Sequence, residues 1–566
     1  MDMWLKRLRP NTNTWSQNIV ILMMTLALLF AILLPLAELA IKAITNQDGD
    51  FIGLSNFTKY FSTPALVNSL WNSIKVSSIA TFIAVTLGFG FAYALERSGI
   101  RFKWLFRSVA LLPLFAPSML HGLALIYLFG NQGLISTGFF GVLPEFRIEL
   151  YGPVGIVFSE VLYTFPQAFL MLSVALASSD YRLYEAAETL GASKWRVFWT
   201  VTIPGVKFAL ISAIFVCFVL TFTDFGAPKV VGGQYNVLAT DLYKQVIGQQ
   251  NMQMGSAVGV LLLIPAIISF VIDRISVRKQ SGWLSAKSTP YRIEKSKLRD
   301  VMYYVFCSLL SAVILSIILV AIYGSLVRVW PYNLQFSFAH YDGFLEGTGP
   351  FVNSLVISVG TALIGTIVTF MFAYLIEKSK GFLFLRNAAY FLSMLPLALP
   401  GLVLGLIYVF FFNNPNQPLH GLYGTIWIVI LCNIVHFYSV SFLTMTSSLK
   451  KLDSEFEAAS ESMNVPWYRT LLRVTLPMSL PTIVEIFVYF FINSMVTVSA
   501  IIFLYAPDLK PAAVAIVNME DSGDIAPAAA MSTLIILTNL IVRTLVMLVS
   551  GRLRRKTEAL LVRKEG

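Results

Sequence analysis

The sequence predicts an all-α polytopic membrane protein of about twelve transmembrane helices, arranged as two parallel six-helix repeats. Three observations carry that expectation. Of the 566 residues 57% are hydrophobic and 13% charged, and the mean hydropathy is +0.74. A soluble domain carries about 25% charged residues, so this balance belongs to a chain that lives in lipid. The apolar residues fall into runs long enough to cross a bilayer, which takes about 20 residues of helix. Finally, the two halves of the chain repeat one another.

In the first half the expected spans are 18–44, 70–95, 105–130, 153–177, 207–225 and 255–273. In the second they are 301–326, 353–376, 385–412, 422–447, 480–505 and 527–549. The basic N-terminus MDMWLKRLRP precedes an apolar run too long for a signal peptide and without a small-residue cleavage site, so a retained first span is expected. Direction follows from Lys and Arg. With the N-terminus inside, the inside segments carry 32 of them and the outside loops 6, a ratio that a mis-threaded topology would scramble. Both termini are therefore expected to be cytoplasmic. The net charge of +11 is then a topology signal rather than a nucleic-acid footprint.

The repeat is direct. NSIKVSSIATFIAVTLGFGFAYALERS (72–98) aligns without gaps on NSLVISVGTALIGTIVTFMFAYLIEKS (353–379), and LLPLFAPSML (111–120) on MLPLALPGLV (394–403). Residues 1–273 and 301–566 form the two halves, joined by a basic linker, 274–300. Both halves run the same way, so the repeat is parallel and the interface between halves is the natural place for a path. The paired prolines in spans three and nine are expected to kink them, for passage or for packing with equal weight.

The loops between spans four and five, 180–204 and 450–477, each carry an amphipathic helix: YEAAETLGASKWRVFWTVTIP and FEAASESMNVPWYRTLLRVTLP. Lipid contact alone requires no such matched placement; a protein groove does. The first copy resembles the EAA loop of the membrane permeases of bacterial ABC importers, through Glu185, Ala186, Ala187, Gly191 and the closing Pro204. The second copy keeps Glu457, Ala458, Ala459 and Pro477 but is one residue longer and lacks the glycine, so a different turn is expected there.

That resemblance implies the type I ABC importer permease fold, an inner-membrane location, and coupling helices that seat in ATP-hydrolysing subunits. It implies two copies of such an ATPase, an extracytoplasmic solute-binding protein and surrounding membrane lipid as partners, with no nucleic acid. The chain has no GxxxxGK[ST], so ATP and Mg are expected in the partner ATPase, and no cofactor or catalytic residue in this chain. The stretches 223–255 and 493–531 are similar to 2-aminoethylphosphonate permeases. The alternatives are a ferric iron or sugar-phosphate importer, then an ion-coupled secondary transporter, which would need paired ionisable groups deep in the spans.

Cys217, Cys307 and Cys432 lie in apolar runs, and His121, His340, His420 and His436 do not cluster, so no metal site is indicated. Polar residues within spans are the path candidates: Ser118 and His121 in span three, Thr221, Thr223 and Asp224 at the end of span five, and Asn493, Ser494, Thr497 and Ser499 in its counterpart. For the hydroxyls the competing reading is back-bonding to their own helix. Asp224 sits at the outer interface or meets a solute ammonium; Lys229 is a solvated loop lysine or meets a phosphonate oxygen.

Overall fold

In the computed structural model, residues 12–283, 289, 291–293, 296–344, 349–379, 382–417, 419–453 and 455–562 are described. The expected basic segment 1–10 and the rest of the linker lie outside them. The helices α1 (Trp15–Ala43) and α2 (Pro64–Arg97) lead to a bent pair, α3 (Lys103–Phe115) and α4 (Ser118–Phe129). Next come α5 (Pro153–Ala177), short α6 (Tyr181–Thr189), α7 (Lys194–Thr223), short α8 (Gly226–Val231) and α9 (Met252–Val277). The second half opens with α10 (Lys297–Leu326) and a hairpin of β1 (Val327–Val329) and β2 (Asn333–Phe336). Then follow α11 (Pro350–Lys378), a second bent pair α12 (Leu383–Ala398) and α13 (Gly401–Phe412), and α14 (Ile426–Leu449). The chain closes with α15 (Glu455–Ser462), α16 (Trp467–Val496), α17 (Ala512–Asp521) and α18 (Ile525–Gly551).

Ten of these helices are long and apolar enough to cross a membrane, and twelve spans result if each bent pair is one. The pairs bend by 103° and 111°, far more than the expected kink. Proline is the cause. It lacks an N–H, its ring clashes with the carbonyl four residues back, and it drives the preceding residue out of the helical region. Ala116 before Pro117 and Leu399 before Pro400 are accordingly extended. Each chain then restarts a helix in a new direction.

The packing units do not follow the 1–273 and 301–566 division. One unit is 42–343 with 515–534; the other is 1–41, 344–514 and 535–566. So α10 packs on α2, α3 and α4 of the first unit, and α1 packs on α11 and α12 of the second. Each half gives its first span to the other half's unit.

Within the first unit α2, α5, α7 and α9 form the core. Lipid tails are as apolar as leucine, so close packing must hold such helices together, and small residues permit it. Gly88 of α2 illustrates this: a Cβ there would lie 2.9 Å from that of Ala168 on α5. Phe91 then sits edge-on to Phe165 and Phe169, with centroids 5.7 and 5.4 Å away. In the second unit α11, α14 and α16 form the corresponding core, around Phe372, Tyr438 and Phe442.

Candidate functional sites

The two amphipathic loops have the same architecture, against the sequence expectation. After α6, Gly191 takes the left-handed conformation (φ +73°), and the turn is closed by Leu190 N–H to Ala186 O, Gly191 N–H to Glu188 O and Ala192 N–H to Ala187 O. After α15, Asn464 is left-handed too (φ +50°), with Met463, Asn464 and Val465 bonding Ala459, Glu461 and Ser460 in the same pattern. Asparagine is the non-glycine residue that best tolerates this region, so the cap survives without glycine. Beyond each turn, five residues widen into a π-helical turn, Phe198–Thr202 and Leu471–Thr475, before Pro204 and Pro477 lead into the span.

This shared geometry resets the register by one residue. Gly191 matches Asn464, which puts Ala459 opposite Ala186, Ala458 opposite Glu185, and Glu457 opposite Tyr184. The second copy is no longer than the first from the turn to the proline. The one extra residue of the second copy lies ahead of the turn, between Glu457 and Asn464.

Each loop is anchored to the end of its second span by a buried cation. Arg97 Nη2 donates to Leu176 O at 2.9 Å and to Ser179 Oγ, while its guanidinium lies 4.0 Å from the Tyr291 ring and 5.4 Å from that of Tyr184. Tyr184, buried, donates to Thr202 Oγ1 at 3.2 Å. In the second loop Lys378 donates to Leu452 O at 2.8 Å and pairs with Glu457 at 3.4 Å. Glu457 is thus an internal anchor. Glu185 is exposed, as are Ala186, Ala458 and Ala459, while Ala187 is half-buried. That leaves one exposed strip on each short helix.

The membrane-side candidates divide. Thr221 and Thr223 back-bond to Cys217 O and Val219 O at 3.0 and 2.8 Å, and Asn493 to Tyr489 O at 2.7 Å. Asp224 is different. Its Oδ1 accepts from Ser118 Oγ at 2.9 Å and its Oδ2 from Ala227 N–H at 2.9 Å, so it ties the start of α4 to the start of α8. His121 Nδ1 lies 3.3 Å from Ser118 O, and its Nε2 is buried with no partner among the described residues.

Facing Asp224 is a residue that sequence reading passed over. Glu160 of α5 is fully buried, close enough to couple with the Asp224 carboxyl, and neither of its oxygens meets hydrogen-bond geometry with a described residue. An acidic residue in the middle of span 153–177 was itself the signal. The second half has neutral residues at the same register: Asn433, Ser494 and Thr497 stand where the first has Glu160, Thr221 and Asp224. There Asn433 Nδ2 donates to Ser494 Oγ at 2.8 Å, and Thr497 is buried. Ser499 packs against Gly401, whose Cβ would lie 2.4 Å from the Ser499 Oγ; in the first half Ser118 and Gly226 make this contact with the partners exchanged. Among the described residues no three His, Cys, Asp or Glu side chains gather closely enough to hold a metal ion.

Lys229 is not a free loop lysine: it lies on α8, partly exposed. It pairs with Asp521 of α17, beside the Tyr243 ring. The adjacent Glu520 is pushed up from 4.5 to about 7 by burial, against the pull of Lys229 and with a further push from Asp521. A carboxyl raised in this way binds its proton more tightly folded than unfolded. Its contribution to stability is therefore full at low pH and is lost as pH rises from about 4.5 to about 7. Glu520→Gln should flatten the fall in thermal midpoint across that window; an unchanged slope would assign the dependence to another group.

The family described as binding-protein-dependent transport system inner membrane component matches residues 84–282 and 365–555. A ferric transport system permease protein of Haemophilus influenzae is 28% identical over 504 residues, covering 87% of this chain and 78% of the relative. One from Actinobacillus pleuropneumoniae is 26% identical over 534 residues, covering 91% and 76%. Among solved structures, a bacterial alginate ABC transporter in complex with an alginate pentasaccharide-bound periplasmic protein is similar over 48% of this chain and 96% of that one. Its identity is 14% and its TM-score 0.40.

Proposed function

The chain belongs to the binding-protein-dependent transport system inner membrane components, the permease subunits of ABC importers, and from that premise we propose that its solute is ferric iron. One observation carries the choice: ferric permeases match 87% and 91% of this chain, across both halves. This replaces the 2-aminoethylphosphonate expectation with the ferric branch named second. The chemistry of the first unit agrees. Ferric iron is a hard cation that favours carboxylate oxygen, and Glu160 of α5 and Asp224, at the break between α7 and α8, place two carboxyls together. The lysine a phosphonate would have met, Lys229, already holds Asp521.

In this reading a binding protein delivers the solute on one face, and two ATPase subunits seat on α6 and α15 at the other. ATP is hydrolysed there. This chain's part is to hold the two short helices at fixed angles and pass their motion into α7 and α16, which follow directly. The test is uptake of labelled ferric iron and of 2-aminoethylphosphonate by cells expressing the permease with its ATPase and binding protein. ATP-dependent iron uptake is expected. Uptake of the phosphonate and not of iron would overturn the assignment.

A further inference from the structure

In the first half the sixth span α9 packs along the fifth, α7. Its counterpart α18 does not pack in that way on α16, and with 17% of its apolar stretch buried it is the most exposed of the spans. The space left between α14, α16 and α18 is a cavity of about 990 Å³, lined wholly by the second unit. Its wall is amphipathic. Leu443, Met478, Val546 and Met547 are apolar, while Lys451, Arg543 and Glu485 bring charge.

The placement of those charges is the informative part. Lys451 lies just past the end of α14, on the membrane face that carries the amphipathic loops. Arg543 lies eight residues from the end of α18 at Gly551, and Glu485 lies eight residues beyond Pro477 within α16, each about 12 Å at the rise of an α-helix. Both are exposed inside helices that must cross hydrocarbon, and neither has a side-chain partner among the described residues. Such charges need polar company or a route to the interface. Ser550 Oγ, also on the wall, is buried without a hydrogen-bond partner among the described residues, while Ser448 and Thr482 bond each other at 2.8 Å and close the inner side.

We propose that this cavity binds the headgroup of a zwitterionic membrane phospholipid, with Lys451 and Arg543 on the phosphodiester and Glu485 on the ammonium. Two cationic groups and one carboxylate set among apolar side chains match a phosphatidylethanolamine entering from the surrounding leaflet. The lipid fills the gap that loose packing of α18 leaves, and it neutralises two charges that would otherwise face hydrocarbon. This site is distinct from the carboxyl pair of the first unit and from the loops.

Native mass spectrometry of the purified full chain tests this, with added phosphatidylethanolamine, phosphatidylglycerol or inorganic phosphate. The protein should retain phosphatidylethanolamine, and K451Q with R543Q should lower its bound fraction about ten-fold, the loss expected for a charge-assisted contact. E485Q should remove the preference for phosphatidylethanolamine over phosphatidylglycerol. V546W, which keeps every charge and fills space along the apolar wall, should lower retention as well, so misfolding of the charge variant leaves a second reading. R328Q, an exposed arginine of the β1–β2 hairpin, is the control. Retention equal to that control in both the charge variant and V546W overturns the site. So does displacement of the lipid by millimolar phosphate, which marks a soluble-anion site. The readout needs no solute, so it stands or falls separately from the iron assignment.

Discussion

Gly191→Val should abolish ATP-driven uptake and co-purification of the ATPase while the chain still reaches the membrane. The argument is backbone strain alone. Gly191 sits at φ +73°, and no heavy atom lies within 4 Å of where its Cβ would be, so no clash contributes. A β-branched residue is strongly disfavoured at positive φ, whereas an L-residue without branching pays about 1–2 kcal/mol. The turn sets the angle between α6 and the helix that starts at Lys194, and thus where the exposed strip of Glu185 and Ala186 points. Gly191→Asn gives the sharper test. Asn464 already holds the same turn in the second loop, so Gly191→Asn should keep most of the activity that Gly191→Val loses. Asn464→Val should be damaging too, because the two turns share one geometry. Ala187→Trp should mimic Gly191→Val by adding bulk beside the half-buried edge of the helix. Full uptake and full ATPase binding in Gly191→Val would make α6 a lipid-facing helix.

Much of this was legible in the sequence because it depends on local pattern. Apolar length gave the spans, and the repeat gave two amphipathic loops in matching places. What escaped reading depends on three-dimensional register. Matching Glu185 to Glu457 by type hid the fact that one faces out and the other faces Lys378, since only the turn geometry at Gly191 and Asn464 fixes the phase. The prolines announced a break but not its size, because a kink and a bend beyond 100° differ in how the chain restarts after Pro117 and Pro400. The exchange of α1 and α10 between packing units was hidden for another reason. A first span carries no mark of which neighbours it will meet. Thr221, Thr223 and Asn493 bond back to their own helices, a feature that composition leaves open. Glu160 was visible as a charge in a span, but its meaning required seeing Asp224 opposite.

The carboxyl pair supports the second large effect: Glu160→Asn combined with Asp224→Thr should lower iron uptake at least ten-fold while leaving the fold intact. These substitutions copy the second half, where Asn433 holds the matching place in α14 and Thr497 the matching place just past the end of α16. The chain itself therefore demonstrates that the fold accepts neutral residues there. A single Asp224→Ala is less clean. It strands Ser118 Oγ and the Ala227 N–H together, each left without its acceptor, at a cost of about 1–3 kcal/mol apiece. Loss of uptake in that variant would mix a loosened α4–α8 contact with loss of charge. Thr at 224 retains an oxygen that can cap the start of α8, so the double variant removes charge and keeps the cap. Membrane abundance and thermal midpoint should match the parent while uptake falls. If uptake also matches the parent, the pair is structural, and the cation passes without using these two carboxyls. A fall in uptake with ATP hydrolysis still stimulated by the loaded binding protein would locate the defect in the path rather than in coupling. That last result would separate the carboxyl pair from Gly191, whose loss should silence both.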